Sequence, residues 1–96
     1  MILESTVERF LVDEVRRRGG IAEKVRVIGA RGFFDRFVTL PGGVIILVEL
    51  KRPKGGRLSP HQRKRLEVYR RLGVNVQICK SREDVRRLMD AYDQRA

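Results

Sequence analysis

The sequence predicts an α/β fold with the element order αβββαβα, in which helices flank a mixed central sheet. Apolar residues recur at helical spacing in three segments, whereas four other segments alternate in polarity or are rich in β-branched residues. A helical segment separates the third strand from the fourth, which predicts that these two strands run parallel. Short turns join the first three strands, and we therefore expect them to be antiparallel.

The first helix is predicted from about Leu3 to Arg18. Its apolar residues are Leu3, Val7, Phe10, Leu11 and Val15, and Gly19-Gly20 ends it. The next three segments are predicted strands at Glu23–Ile28, Phe33–Leu40 and Val44–Lys51, and Pro41-Gly42-Gly43 forms the turn between the last two. The nearly continuous apolar character of the third strand predicts a central position that is buried on both faces.

The second helix has a clear start, because Ser59 is a favourable N-cap and Gln62 completes a capping box with it. Pro60 suits the first helical position, and Gly73 closes the helix. A further strand is predicted at Val74–Cys79. Ser81 then caps a last helix, whose apolar residues are Val85, Leu88, Met89 and Tyr92.

Length and charge limit the number of domains and the classes of binding partner. The 96 residues are interpreted as a single domain spanning residues 1–96. Lys and Arg number 22 and Asp and Glu number 12, so the net charge is +10, which favours nucleic acid as the partner before an acidic membrane surface. The single cysteine, Cys79, excludes an internal disulfide and a multi-cysteine zinc site. No apolar run reaches the ~18 residues of a membrane span and no signal peptide is visible, so we expect a cytoplasmic protein.

Acidic residues on the hairpin are the candidate chemical groups. Glu49 and Lys51 alternate with Leu50, so they share one face of the third strand, where they could also form an ordinary salt pair. If the hairpin loop has three residues, Asp35 lies directly opposite Glu49, with their Cβ atoms about 5 Å apart. Two facing carboxylates repel unless a cation lies between them, and oxygen ligands suit Mg²⁺ or Mn²⁺. A loop of two residues would instead place Asp35 and Glu49 on opposite faces.

Two of the four acids in the first helix are further candidates. Glu4 and Glu8 fall on the side of the helix that carries the apolar residues, where an unpaired carboxylate is costly. Glu8 is therefore a candidate third member of a metal site. The alternative is a capping box over Ser5–Glu8, in which Glu8 would serve only the start of the helix.

These residues resemble those of the PD-(D/E)XK nuclease superfamily, and most closely its VRR-NUC family of small, stand-alone phage-type nucleases. The segments that carry the resemblance are Glu4–Glu8, Gly19-Gly20, Arg31–Arg36, Pro41–Gly43, Val48–Pro53 and Leu58–Gln62. One position departs from the usual pattern, since Phe34 replaces the proline that precedes the aspartate. The resemblance implies a restriction-endonuclease-like core.

The resemblance also implies roles for individual residues. Asp35 and Glu49 would ligate Mg²⁺ or Mn²⁺, and the backbone carbonyl of Leu50 could join them. Glu8 would complete the site directly or through water, with Glu4 as the weaker candidate. Glu8 stands eleven residues before Gly19, a spacing that is similar in archaeal Holliday-junction resolvases. Lys51 would act on the attacking water and on the charge of the transition state. Gln62 matches a further family position near the active site, with the capping box as its alternative role.

Basic side chains that flank the acidic residues in sequence are candidates for phosphate contacts. These are Arg31, Arg36, Arg52, Lys54 and Arg57, together with His61 as a surface or phosphate contact. The basic residues further along the second helix are as readily explained as a solvated helix face.

The sequence is therefore interpreted as a Mg²⁺- or Mn²⁺-dependent DNA endonuclease acting on branched DNA, above all four-way (Holliday) junctions, and encoded by a bacterial phage or prophage. Two cuts in a two-fold symmetric junction predict a homodimer. Apolar residues on the first and last helices, including Ile2 and Val12, are candidates for its interface. The alternatives are a catalytically silent nucleic-acid-binding domain on the same fold and a nuclease domain that works only within a larger assembly.

Overall fold

The computed structural model describes residues 3–29 and 33–95, and in these residues it has three helices and four strands in the predicted order. The helices are α1 (Glu4–Arg17), α2 (Pro60–Arg71) and α3 (Arg82–Arg95). The strands are β1 (Ile21–Lys24), β2 (Arg36–Leu40), β3 (Val44–Leu50) and β4 (Val76–Cys79). They form one mixed sheet in the order β1-β2-β3-β4, in which only β3 and β4 are parallel among the described strands. The predicted α/β class and mixed sheet are confirmed.

Each face of the sheet has its own apolar cluster. Helices α1 and α3 cover the face that carries Val38, Ile46 and Val48, and these residues are buried with Leu11 of α1 and Met89 of α3. Because strand side chains alternate, the neighbouring residues point to the other face. There α2 covers a smaller cluster made of Phe34, Leu47, Leu66 and Val76. None of the described helices is long and apolar enough to span a membrane.

The β2–β3 hairpin has the predicted three-residue turn. Leu40 pairs with Val44, and Arg36 pairs with Val48. Gly42 and Gly43 occupy the turn with φ of +89° and +73°, a region that favours glycine. Continued by one residue beyond Arg36 and Val48, this register would set Asp35 opposite Glu49.

The predicted bounds of the first two strands are wrong. Strand β1 was predicted at Glu23–Ile28, but it starts at Ile21 and ends at Lys24, because its partner β2 starts at Arg36 and offers no further pairing. Beyond this point Val27 and Ile28 are exposed. Strand β2 was predicted from Phe33, whereas Phe33 and Phe34 precede it and pack against Tyr69 of α2.

Of the two predicted capping boxes, the one at α2 forms and the one at α1 does not. Helix α1 begins at Glu4 with Leu3 as N-cap, and no side chain caps it, so the capping-box alternative for Glu8 is wrong. Helix α2 has the full capping box between Ser59 and Gln62. The start of α3 is capped as predicted, since the backbone N–H of Asp84 donates to Ser81 Oγ.

Candidate active site

Asp35 lies just before β2, and the end of β3 fixes its carboxylate. The backbone N–H of Leu50 donates to Asp35 Oδ2 at 2.8 Å. This bond ties the loop before β2 to the strand that carries Glu49. The prediction that Asp35 and Glu49 lie close together thus rests on both the hairpin register and a direct hydrogen bond to the neighbouring residue.

Glu49 is a buried charged side chain, with a relative exposure of 1%. Lys51 Nζ lies 2.9 Å from Glu49 Oε2, and Gln62 Nε2 donates to the same oxygen. The other oxygen, Oε1, is buried and has no hydrogen-bond partner in the described part of the chain. A buried carboxylate oxygen without a partner is costly, so this atom calls for a further positive group.

The electrostatics of Glu49 agree with this geometry. Burial is the largest effect and raises the pKa of Glu49 to about 7. Lys51 opposes this effect, whereas the charge of Asp35 and its side-chain contact raise the pKa of Glu49 further. The two carboxylates are therefore near enough to disfavour a second negative charge at the site when no cation is bound.

Gln62 joins the start of α2 to the acidic pair. The backbone N–H of Ser59 donates to Gln62 Oε1 at 3.0 Å, and the backbone N–H of Gln62 donates to Ser59 Oγ at 3.1 Å. Because the amide oxygen is used by the cap, the amide nitrogen is left to face Glu49. The two roles considered for Gln62 are thus compatible, and the capping box positions the amide that holds Glu49.

Glu8 reaches the site from α1 but has another partner. Arg36 Nε lies 2.8 Å from Glu8 Oε2, and Arg36 Nη1 donates to the carbonyl of Ala22 at 2.8 Å. Glu8 and Asp35 nevertheless line the same cavity of about 450 Å³. Within residues 3–29 and 33–95, no three His, Cys, Asp or Glu side chains are grouped closely enough to hold a metal ion, so the role of Glu8 as a ligand stays a prediction. Glu4 is exposed.

The acidic pair fits a hard divalent cation. Asp35 keeps one carboxylate oxygen outside its bond to Leu50, and Glu49 has the unpartnered Oε1. Mg²⁺ and Mn²⁺ prefer such oxygen ligands, and Mg²⁺ keeps several water molecules when one or two carboxylates bind it. The orphaned buried oxygen is the structural observation that supports this fit.

The predicted phosphate contacts divide into three groups. Arg31 lies outside the described residues. Arg36 is held by Glu8 and Ala22, and its role as a DNA contact stays a prediction. The side chains that are exposed around the loop between β3 and α2 are Arg52, Lys54, Arg57 and His61.

Sequence reasoning missed basic residues that border the site. Lys24 and Arg26 line the cavity shared by Glu8 and Asp35. Lys80 lies beyond the end of β4, next to Lys51 at the end of β3. The parallel pairing of β3 and β4 was a signal for Lys80, since the ends of two parallel neighbours meet at one edge of the sheet.

Comparisons with known proteins identify the family of this chain. The sequence model of the VRR-NUC domain matches residues 34–83, which include Asp35, Glu49, Lys51 and Gln62. "Putative nuclease p44" of Acyrthosiphon pisum secondary endosymbiont phage 1 is 50% identical over 62 residues, which cover 65% of this chain and 66% of that protein. The aligned segment is thus just under two thirds of the phage protein.

A solved structure described as a VRR_NUC domain superposes on this chain with a TM-score of 0.87. The two sequences are 32% identical, and the match covers 93% of this chain and 96% of the other. The family match extends over more than half of the chain, and the fold agrees along nearly all of it. This chain belongs to the VRR-NUC domain family.

Proposed function

We propose that this protein is a divalent-metal-dependent endonuclease that hydrolyses phosphodiester bonds in DNA. The observation that carries the proposal is the Asp35–Glu49 pair, with an unpartnered buried oxygen and with Lys51 beside it. The net charge of +10 suits a polyanionic substrate. Membership of the VRR-NUC family and a phage relative that is named as a nuclease support the same reaction.

In the proposed mechanism, Asp35 and Glu49 would hold Mg²⁺ or Mn²⁺, the carbonyl of Leu50 would be a further ligand, and Glu8 would act directly or through water. When bound, the metal lowers the pKa of a water molecule and offsets the charge of the phosphate. Lys51 orients the attacking water and donates to the oxygens on which negative charge develops. Gln62 orients Glu49 through the hydrogen bond from its amide nitrogen.

Branched DNA is the proposed substrate, and four-way junctions above all. Resolving a two-fold symmetric junction takes two cuts, and one chain carries one Asp35–Glu49 pair, so we propose a homodimer. The apolar helix faces no longer support this dimer, because Val85 and Met89 are fully buried within the chain and Val12 packs against the same core. Ile2 lies outside the described residues. The proposal of a dimer therefore rests on the symmetry of the substrate.

A cleavage assay on matched four-way junction, linear duplex and single-stranded DNA tests the function. We expect cleavage with Mg²⁺ or Mn²⁺, little turnover with Ca²⁺, none in EDTA, and a faster rate on junctions. Asp35→Asn and Glu49→Gln should abolish cleavage while DNA binding persists in EDTA. Binding without cleavage by the wild-type protein would instead identify a silent DNA-binding domain, and full activity in EDTA would contradict the metal mechanism.

The phage relative also supports a phage or prophage origin for this chain. The proposed substrate is then DNA in the cytoplasm of a bacterial host.

A further inference from the structure

A second cavity, of about 280 Å³, is lined in part by Lys51, the lysine that contacts Glu49. Its lining residues are Lys51, Gly56, Arg57, Leu58, Arg63, Ile78 and Lys80. Four of these seven are cationic and none is acidic. The cavity is therefore a strongly positive recess next to the proposed catalytic lysine.

The parallel register of β3 and β4 brings two lysines together in this cavity. Glu49 pairs with Ile78 and Leu50 pairs with Cys79, and the backbone N–H of Lys51 donates to the carbonyl of Cys79 at 3.0 Å. Continued by one residue, the register sets Lys51 beside Lys80 on one face. Like charges side by side are unfavourable unless an anion lies near them, and Glu49 Oε2, 2.9 Å from Lys51 Nζ, supplies that anion to Lys51 alone.

Among the residues that the structure describes, the remaining cations of this cavity have no carboxylate partner. No ion pair is formed by the side chains of Arg57, Arg63 or Lys80 with any acid in residues 3–29 and 33–95. By contrast, other arginines of the chain are paired, such as Arg18 with Asp93 at 2.8 Å. The cavity thus collects cations that the fold leaves unneutralised, beside a site that is proposed to cut a polyanion.

A close backbone approach holds one wall of the cavity. A Cβ atom on Gly56 would lie 2.5 Å from the carbonyl oxygen of Arg52 and 3.0 Å from the Cβ of Lys51. The loop after β3 therefore folds back on itself at Gly56, which brings the next residue, Arg57, to the cavity. Only a residue without a side chain allows this turn.

We infer that this cavity binds one backbone phosphate of the DNA strand that is cut, next to the phosphate at the Asp35–Glu49 pair. The inference rests on the proposed function and adds Arg63 and Lys80 to its substrate contacts, together with Arg57. Guanidinium and ammonium groups form charge-assisted hydrogen bonds to phosphate oxygens. These three residues position the strand and take no part in the bond that breaks.

Paired variants test this role. Arg63→Ala/Lys80→Ala removes an arginine and a lysine from the cavity, and Lys64→Ala/Arg71→Ala removes the same two charge types from exposed positions on α2. DNA affinity is measured in EDTA as a function of salt, so the readout needs no cleavage. For Arg63→Ala/Lys80→Ala, called the cavity pair, we expect DNA affinity to fall about tenfold at low salt. The slope of log affinity against log salt concentration should be shallower by about one.

Two DNA forms identify which phosphate is bound. An internal phosphate predicts the same loss of affinity on closed circular DNA, which has no ends, as on linear DNA. A loss confined to linear DNA with 5′-phosphates would overturn the inference in favour of a terminal phosphate. In the cleavage assay the cavity pair should raise KM with kcat changed less than about threefold.

Equal losses of affinity in the cavity pair and the α2 pair would also overturn the inference, because general charge would then explain both. If Arg63→Ala/Lys80→Ala does not fold, Arg63→Gln/Lys80→Gln keeps most of each alkyl stem and removes the charges. If the cavity variants keep wild-type DNA affinity and the wild-type protein cleaves DNA, the inference is wrong and the proposed nuclease stands. If the wild-type protein does not cleave DNA but the cavity variants lose affinity, the proposed nuclease is wrong.

Discussion

Glu49 Oε2 is the oxygen that both Lys51 and Gln62 contact, which leaves Oε1 as the buried oxygen available to a cation. The two oxygens of Asp35 also differ, since Oδ2 accepts a hydrogen bond from the backbone N–H of Leu50. At the residue scale, protein donors orient the two carboxylates through one oxygen each. The other oxygen of each carboxylate is the part of the site on which the proposed metal depends.

The first prediction concerns Lys51. We expect Lys51→Ala to lower kcat by about a hundredfold or more with the fold retained, because a positioned cation acts on charge that develops in the transition state. Lys51→Arg should restore little, since a guanidinium differs in geometry from an ammonium. Single-turnover cleavage measures both effects. Near-wild-type rates for Lys51→Ala would show that Lys51 is only a salt partner of Glu49.

The second prediction concerns the stability of the metal-free protein. Burial raises the pKa of Glu49 from its ordinary value of 4.5 to about 7, so between these pH values the folded state binds more protons than the unfolded state. The free energy of unfolding should therefore fall as pH rises through this window, by at most about 3 kcal/mol from this group.

Glu49→Gln cannot ionise at this position and provides the control for that effect. In EDTA, the variant should match the wild-type protein near pH 5 and be more stable than it near pH 8. Urea unfolding at both pH values measures the difference. A constant difference between the two proteins across this range would contradict the account of Glu49.

Some residue positions were predictable from local periodicity and others were not. The facing of Asp35 and Glu49 is predicted from a two-residue strand period and a turn of three residues, and the observed pairing of Leu40 with Val44 confirms that turn. The partner of Glu8 was not predictable in this way. Its ion pair with Arg36 joins residues 28 positions apart and depends on how α1 packs on the sheet.

At the scale of elements, Gly20 and Gly56 lie where two backbone segments approach each other closely, and the sequence pattern does not reveal these approaches. A Cβ on Gly20 would lie 2.5 Å from the carbonyl oxygen of Thr39, so the chain between α1 and β1 lies directly on β2. This contact explains why β1 starts as early as Ile21. Alternation at Glu23–Ile28 was genuine, but a strand also needs a partner, and β2 ends the pairing at Lys24.

The third prediction compares these two glycines. Gly56→Ala should displace the loop between β3 and α2, lowering cleavage by about tenfold with a small change in Tm. Gly20→Ala should instead destabilise the fold by about 1–3 kcal/mol through overpacking, with normal activity in the folded fraction. Thermal unfolding and cleavage rates, measured on both variants, separate the effects. The reverse ranking would show that the loop does not shape the site.

At the scale of the whole molecule, basic side chains line two cavities, one that includes Asp35 and one that includes Lys51. Asp35 lines one with Lys24 and Arg26, and Lys51 lines the other with Lys80. The net charge predicted a polyanionic partner, but it could not show that Lys24 and Arg26 share a cavity with Asp35, or that Lys80 shares one with Lys51. That arrangement depends on loops and on strand ends that meet only in the folded chain.

The fourth prediction is the oligomeric state. We expect sedimentation at micromolar concentration to give about twice the 11.1 kDa of one chain, since paired cuts in a junction need two sites. Sedimentation with and without four-way junction DNA is the appropriate comparison. A monomer in both conditions would contradict paired cutting and favour a nuclease that makes single nicks.

Locating Mn²⁺ by anomalous scattering in crystals of the protein tests whether Asp35 and Glu49 bind a divalent metal ion. We expect a peak between the carboxylates of Asp35 and Glu49, within bonding distance of Glu49 Oε1, and no such peak in crystals of Glu49→Gln. A Mn²⁺ ion bound elsewhere, with Glu49 Oε1 still lacking a partner, would contradict the account.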